Sequence, residues 1–511
     1  MGYSSFWENA AAHPDRPAII SAAGEVVTFG ELASQANRLA NGLRERGLGV
    51  GDTVALMAAN RAEYFAVQLA TGQIGLVLAL INRHLTAPEA AYILSDSHAR
   101  LLIADSRTGD AAVGAAELAG LGVDARFAIG DVAGFADWRE LWAADEPPTN
   151  RTAGSLLLYS SGTTGAPKGI SKPLSELAPE QEDQLVVESL AAFDVARDGV
   201  FLSVAPLYHS APNRHASSAL ARGMSVVLAD RSDPAHLLEL IDAHHVVETF
   251  LVPTMMHRML ALDEAERGRY DTSSLRTVLH AGAMCPPPVK AAMIEWLGPK
   301  LMEYYGATES GAITMISSAD WLAHPGSVGR ARPGTDVQIR DEAGNLVSPG
   351  VVGLIHLLTG RPFEYHGDRA KTDASHRDGY FVPGDLGSLD EDGYLYLSDR
   401  RTDLIVSGGV NIYPAEIESV LLDQPGVTDA VVFGVPDDEW GQRVVALVSS
   451  DSADVSPISL REAAERELAD YKIPRTIEIV SSLPRTPSGK LSRAKVRAAY
   501  ADNGAESVAA L

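Results

Sequence analysis

The run Ser160-Ser161-Gly162-Thr163-Thr164-Gly165-Ala166-Pro167-Lys168-Gly169 concentrates three glycines, four hydroxyls and one ammonium in a single short segment. Glycines let a backbone fold back and approach a ligand closely, and hydroxyls and ammonium groups donate to anionic oxygens. Such a segment can cradle a polyphosphate. It is not a Walker loop, which needs G-x-x-x-x-G-K followed by Ser or Thr; neither Gly162 nor Gly165 begins that pattern. An ordinary Gly/Ser/Thr connection has the same composition, so the meaning of the run depends on its company.

Five further blocks carry chemistry. Ala205-Pro206-Leu207-Tyr208-His209-Ser210 follows the apolar run VFLSVA, and ligands of α/β proteins gather at the carboxyl ends of strands. There His209 can gate or line a pocket, or simply pack. Tyr304-Tyr305-Gly306-Ala307-Thr308-Glu309-Ser310 offers an aromatic face, a hydroxyl and a carboxylate on one tight loop. Those groups can stack a base, donate to a phosphate and hold magnesium, a cation that prefers oxygen ligands; capping by Thr308 and core packing by Tyr305 are the plainer readings. Asp385 follows a Pro-Gly turn and Arg400 lies a short way on, a pair able to hold the hydroxyls of a sugar. The paired Gly408 and Gly409 precede a helix and permit close passage of a narrow ligand. Finally, Leu483-Pro484-Arg485-Thr486-Pro487-Ser488-Gly489-Lys490 ends a loop in one ammonium that could neutralise charge developing at a reaction centre. Arg493, Lys495 and Arg497 beyond it form a solvated basic face or attract the phosphates of a second substrate.

These blocks need a scaffold. From Thr53 to about Asp230 the short apolar runs VALMA, LVLALI, RLLIAD, SLLLYS, VFLSVA and SVVLAD alternate with helical patterns, which predicts α/β layers with buried strands. The alternation continues through Glu248–Pro253 and Arg276–His280. From about Gly326, short strands separated by Gly, Pro and Asp turns predict a smaller barrel-like subdomain. After Asp399 the pattern restarts, with a helix near Pro414–Leu422, strands around Val431 and Val444, a helix over Leu460–Leu468 and a strand at Ile477. A boundary is expected at Ser398–Asp403, and the Ala-rich tail from Ala498 is expected to fray.

Composition narrows the field. A chain of 511 residues has room for several lobes. Its net charge of −25 disfavours wholesale binding to nucleic acid or to anionic membranes, so a polyphosphate would need a local basic site. The single cysteine, Cys285, excludes an intramolecular disulfide and any cysteine metal cluster, and fits the reducing cytoplasm. The N-terminal segment lacks the pattern of a secretion signal, and Phe6 breaks the myristoylation pattern. The apolar stretch Tyr64–Asn82 is interrupted by Gln68, Gly72, Gln73 and Gly75, which predicts a helix, a turn and a buried strand in place of a membrane span.

All six blocks occur in one order between Tyr159 and Lys490, and in that combination the chain resembles the adenylate-forming superfamily, most of all its acyl-CoA synthetases. The resemblance runs from His13-Pro14 to Lys490. It implies an α/β fold: a large N-terminal domain of two α/β subdomains plus a distorted β-barrel (1–398), a hinge (399–403) and a small mobile α/β C-terminal domain (404–511). It implies that Ser160, Ser161, Gly162, Thr163, Thr164, Gly165 and Lys168 hold the β- and γ-phosphates of ATP. Tyr305 with Gly306 would stack on adenine, Thr308 would contact the α-phosphate, Glu309 would bind magnesium, and Asp385 with Arg400 would hold the ribose. Lys490 would bridge the carboxylate and the α-phosphate. His209 would stand between acyl pocket and nucleotide, Gly282, Ala283, Met284 and Gly311 would line the acyl pocket, and Gly408 with Gly409 would flank the coenzyme A tunnel. The implied partners are a small carboxylic acid and coenzyme A, with no nucleic acid and no integral membrane association; a homodimer is compatible with it.

The chain also departs from that pattern. Thr402 occupies a hinge position that is Asp or Lys in many relatives, which puts the hinge residue's role in doubt, and Pro383 replaces a Thr common before Gly-Asp. His209 stands where amino-acid-activating relatives carry an Asp for the substrate ammonium, so an α-amino acid is not expected. The resemblance points to a bulky apolar acid of alicyclic, terpenoid or steroid and bile-acid type, with a medium- or long-chain fatty acid close behind. The alternatives are an acyl-AMP ligase serving a carrier protein and a catalytically silent nucleotide-binding scaffold.

Overall fold

The computed structural model describes residues 5–160, 167–360, 362–400, 403–407, 410–437, 441–468, 470–486, 489 and 491–509. Two α/β layers dominate. In the first sheet the strands Thr53–Met57, Val77–Leu80, Leu101–Asp105 and Ser155–Ser160 lie parallel. Thr53–Met57 and Leu101–Asp105 are buried at every position, as strands covered on both faces must be. The segment Tyr64–Asn82 divides as its breaks require, with the helix Ala62–Gly72 and the strand Val77–Leu80.

The second sheet runs Arg330–Ala331, Gly311–Ser317, Leu301–Ala307, Thr277–His280, Glu248–Leu251, Val200–Ser203, Ser225–Leu228, Pro17–Ser21, Val26–Thr28. Its inner strands are parallel, and Leu301–Ala307 turns back on Gly311–Ser317 as an antiparallel hairpin. One feature escapes local pattern: Pro17–Ser21, first in the chain, pairs with Ser225–Leu228. That strand ties the N-terminus into the second layer, and the helix Phe29–Glu45 presents Leu32, Leu39 and Leu43 to the core they share.

The third sheet is antiparallel, built from Asp336–Arg340, Gly353–Leu358, Tyr380–Phe381, Asp385–Leu389 and Leu395–Arg400. Its core of Val337, Ile339, Ile355, Leu357, Phe363, Phe381 and Leu395 takes in Tyr305 and Ala307, so this sheet packs directly on the hairpin. The C-terminal unit has the antiparallel pair Val427–Asp437 and Gly441–Ser450, with Thr476–Val480 added parallel. The helices Pro414–Leu422 and Pro457–Glu467 supply Ile417, Leu421, Leu460 and Ala463 to cover it.

The tail differs from expectation. Instead of fraying, it continues as the helices Arg493–Asn503 and Ala505–Ala509, which bury Val496 and Val508 against Val431, Phe433 and Val445. Burial of one apolar side chain from each helix outweighs the weak signal of an Ala-rich composition.

Candidate active site

The hairpin Leu301–Ala307/Gly311–Ser317 is the centre of the site. Its register is Ala307 opposite Gly311 and Gly306 opposite Ala312, with an irregularity after Tyr305. A side chain at Gly306 would meet the Gly311 carbonyl oxygen at 1.8 Å, and Gly311 itself has φ of +68°; both positions therefore need glycine. Ser310 closes the turn, its Oγ accepting from the Ala307 amide at 3.0 Å and donating to the Gly311 carbonyl at 3.0 Å. Thr308 and Glu309 ride on this turn.

From the hairpin, Tyr305 reaches across to the third sheet and its hydroxyl donates to Asp385 Oδ2 at 2.6 Å. Asp385 opens the strand Asp385–Leu389 after Gly384, whose φ is +88°. In the antiparallel register it stands directly opposite Arg400. Tyr305, Asp385 and Arg400, distant in sequence, thus come to one place: an aromatic face, a carboxylate and the backbone of an arginine.

Glu309 faces the other way. Its Oε1 accepts from the Tyr365 hydroxyl at 3.0 Å. Lys168 Nζ lies 5.4 Å from the centre of the Tyr365 ring and Lys371 Nζ lies 5.8 Å from it. Burial and the neighbouring Lys371 ammonium pull the Lys168 pKa down, against the Glu309 and Asp368 carboxylates. Burial and the Glu309 carboxylate push the Tyr365 hydroxyl up, so it stays a neutral donor. Two ammoniums are thus held close to one ring beside the Glu309 and Asp368 carboxylates, and they give an otherwise acidic chain a local pair of cations for a polyphosphate. Tyr365 and Lys371 were not singled out by sequence reasoning. The signal was weak, a Tyr-His-Gly-Asp turn; only the pairing of Glu364 and Tyr365 with Ser171 and Ile170, beside the cradle, brings them in.

His209 caps the helix Ser210–Ala221 at its N-terminus. The turn before it is clamped from the first layer: Asn60 Oδ1 accepts from the Leu207 amide at 3.0 Å and Asn60 Nδ2 donates to the Ala205 carbonyl at 3.0 Å. The His209 ring lies 4.5 Å from that of Tyr208. Gly282, Ala283 and Met284 follow the strand Thr277–His280 and are all exposed, whereas Ala281 beneath them is buried. The C-terminal unit closes on this edge. A methyl group at Gly489 would stand 3.0 Å from Thr254 Oγ1 and 3.2 Å from Val252 Cγ2, and one at Gly282 would lie 4.0 Å from Val252 Cγ1. His257 Nε2 is 3.2 Å from the Val427 carbonyl oxygen, a second contact between the parts.

Ser161, Gly162, Thr163, Thr164 and Gly165 of the cradle, Thr402, Gly408, Gly409 and Lys490 lie outside the described residues, as do the side chains of Ser160 and Arg400. Their neighbours Pro167, Lys168, Ser407 and Gly489 are described. No helix among the described residues is long and apolar enough to cross a membrane.

The hairpin, the two layers and the added C-terminal unit define a class. The AMP-binding enzyme family matches residues 6–360, and the AMP-binding enzyme C-terminal domain matches residues 416–490. The chain belongs to that family. It is 35% identical over 482 residues to a feruloyl-CoA synthase of Amycolatopsis sp, covering 93% of this chain and 94% of that protein. It is 32% identical over 513 residues to a fatty acid–acyl-carrier-protein ligase, ScoC, of Streptomyces coeruleorubidus, covering 98% and 96%. The structure of O-succinylbenzoate coenzyme A synthetase from Bacillus subtilis in complex with ATP and magnesium superposes with a TM-score of 0.80 at 30% identity, covering 96% of this chain and 98% of that one. The protein is an AMP-forming acid–thiol ligase that works through an acyl-adenylate; the Bacillus subtilis neighbour binds ATP and magnesium, and further relatives are coenzyme A ligases.

The residues present suit magnesium. Glu309, on the hairpin turn with its Oε1 accepting from the Tyr365 hydroxyl, is an oxygen donor of the kind the ion prefers, and magnesium takes one or two carboxylates from a protein while keeping water and phosphate oxygens.

Proposed function

We propose that this ligase activates a bulky acid with an apolar body, of alicyclic, terpenoid or steroid type, and transfers it to coenzyme A, with its residues divided between the two halves of the reaction. The support for the division is that a single hairpin turns Tyr305 toward Asp385 and Glu309 toward Tyr365 and Lys168. Nucleoside and polyphosphate functions then flank one turn, and the α-phosphate falls beside Thr308.

In the first half a carboxylate oxygen attacks the α-phosphorus of ATP. The bond to the β-phosphate oxygen breaks and pyrophosphate leaves, giving a mixed anhydride. Ser160 to Lys168 hold the leaving phosphates, joined by Lys371 on the other side of the Tyr365 ring. Tyr305 and Gly306 cover the adenine, and Asp385 with Arg400 binds the ribose. Glu309 would hold magnesium, which would neutralise charge on the phosphates, and Tyr365 keeps that carboxylate in place. Lys490 neutralises charge between the carboxylate and the α-phosphate. In the second half the thiol of coenzyme A, after giving up its proton, attacks the carbonyl carbon and AMP leaves. The C-terminal unit, 404–511, turns about 399–403 with Thr402 at the pivot, withdrawing Lys490 and bringing Gly408 and Gly409 to the thiol's route. His209 stands at the junction of acid and nucleotide, and Gly282, Ala283, Met284 and Gly311 line the acid's pocket, where small side chains leave room for a ring system.

Acid-dependent exchange of labelled pyrophosphate into ATP tests the first half, and coenzyme A-dependent release of AMP tests the second. Exchange with ring-bearing acids and release that requires coenzyme A are expected. Exchange without any effect of coenzyme A would instead favour a carrier protein as acceptor, the reading to which the similarity to ScoC lends weight.

A further inference from the structure

Beyond Gly311 lies a polar wall that neither half-reaction uses. Arg214, on the helix Ser210–Ala221, places Nη1 3.9 Å from where a methyl group on Gly311 would be. Its Nη2 donates to Ser189 Oγ. Arg332 comes to the same residue, donating to the Ser189 carbonyl and, at 3.1 Å, to the Ala312 carbonyl. Its guanidinium lies 4.7 Å from the Phe193 ring. Burial lowers the Arg332 pKa, and among the described residues its buried Nε has no hydrogen-bond partner.

Tyr304 lies beside this wall, its ring 5.3 Å from Phe193 and 5.7 Å from His215. The charges acting on its hydroxyl are those of Arg214 and Arg332, both cations. His215, buried on the same helix as Arg214, stacks on Phe250 at 5.2 Å and sets Nε2 3.2 Å from the Tyr304 hydroxyl. Burial and the nearby Arg214 and Arg222 guanidiniums bring its pKa down to about 3, so the ring is neutral. Among the described residues its Nδ1 has no hydrogen-bond partner. The wall thus sets two guanidiniums beside buried polar atoms of Arg332 and His215 that have no hydrogen-bond partner among the described residues, a costly arrangement in an apolar surround.

Gly311 connects this wall to the reaction centre. It ends the turn that carries Thr308 and Glu309, and within 4 Å of where its side chain would start the one neighbour is Arg214 Nη1. An acid whose carboxylate is activated at the turn, and whose body passes Gly311, meets Arg214 with its far end. We propose that the acid carries a second oxygen function at that end, anionic in its tightest-binding form, and that Arg214 selects for it while Arg332 adds charge and holds Ser189. This rests on the ligase reading above and narrows it: an apolar body remains, but a plain hydrocarbon end is the wrong partner for a guanidinium taken partly out of water.

The test compares acids of one skeleton and length that end in carboxylate, hydroxyl or methyl, with coenzyme A-dependent AMP release measured for each. In the unaltered enzyme, kcat/KM for the carboxylate-ended acid should exceed that for its methyl-ended counterpart by about 10- to 100-fold, the range for a hydrogen bond to a charged group. Arg214→Met should collapse the ratio toward unity, and Arg214→Lys should keep part of it. A ratio between two substrates in one preparation is unaffected by the fraction of a variant that folds. Equal or better use of the methyl-ended acid by the unaltered enzyme would overturn the proposal, as would an unchanged ratio in Arg214→Met. Pyrophosphate exchange with no acid at all would overturn the ligase reading itself, and this proposal with it.

Discussion

At the scale of single residues, Tyr365 organises more of the polyphosphate side than its place in the sequence suggests. Its ring has Lys168 and Lys371 within 6 Å and its hydroxyl binds Glu309. Replacing Lys371 by Gln removes one cation from a site that must hold a tetravalent anion. KM for ATP should rise by roughly tenfold, in line with one charge-assisted hydrogen bond, while thioester formation from supplied acyl-adenylate should proceed unchanged. Equal loss in both half-reactions would place Lys371 elsewhere. Tyr305, Glu309, Asp385 and Lys168 were legible in the sequence because each sits in a block of chemically distinctive neighbours. Lys371 and Arg214 were not, since an isolated cation on a helix has no local signature, and only the fold reveals what it faces.

At the scale of elements, the hairpin Leu301–Ala307/Gly311–Ser317 is the part on which both ends of the nucleotide depend in the proposed function. A Gly306→Ala methyl would collide with the Gly311 carbonyl oxygen at 1.8 Å, forcing the turn to shift by an ångström or more. Misplacement on that scale costs on the order of 10²-fold, so adenylation should fall by about that much, with the protein still folded by circular dichroism. Parallel strands were readable as continuous apolar runs. The pairing of Pro17–Ser21 with Ser225–Leu228 was not, because nothing local encodes a partner two hundred residues away. The N-terminal helix Phe6–Ala12 is fixed by a similar long-range contact, the Phe6 amide donating to Asp183 Oδ2 at 3.0 Å. Burial pushes the Asp183 carboxyl up to about 7. The unfolded chain therefore ionises this group first, and its contribution to stability is present at acid pH and declines as pH rises from the ordinary carboxylate range to about 7. Asp183→Asn should flatten that part of the profile of Tm against pH. A profile of unchanged slope would contradict the assignment.

For the whole molecule, the contacts of Gly489 with Val252 and Thr254 and of His257 with Val427 put the segment before Lys490 against the N-terminal layers. That arrangement suits the adenylating half of the proposed mechanism, in which the thioester half uses a different face of the C-terminal unit. Lys490→Ala should therefore cripple adenylation and spare thioester formation from supplied acyl-adenylate, and Gly409→Leu should do the reverse; equal loss in both halves for either variant would argue against alternation. The proposed division of labour rests on the order of the blocks in the sequence. The docking of the two parts was not readable there, because contacts such as His257 with Val427 join segments with no shared local pattern.

The central claim is that the carboxylate attacks the α-phosphorus of ATP. It is tested most directly by supplying a turned-over acid labelled with oxygen-18 in its carboxylate and examining the products by mass spectrometry. One labelled oxygen should appear in AMP and none in pyrophosphate, since the P–O bond made in the adenylate stays with AMP when the thiol displaces it. Label in pyrophosphate or inorganic phosphate, with unlabelled AMP, would contradict the account.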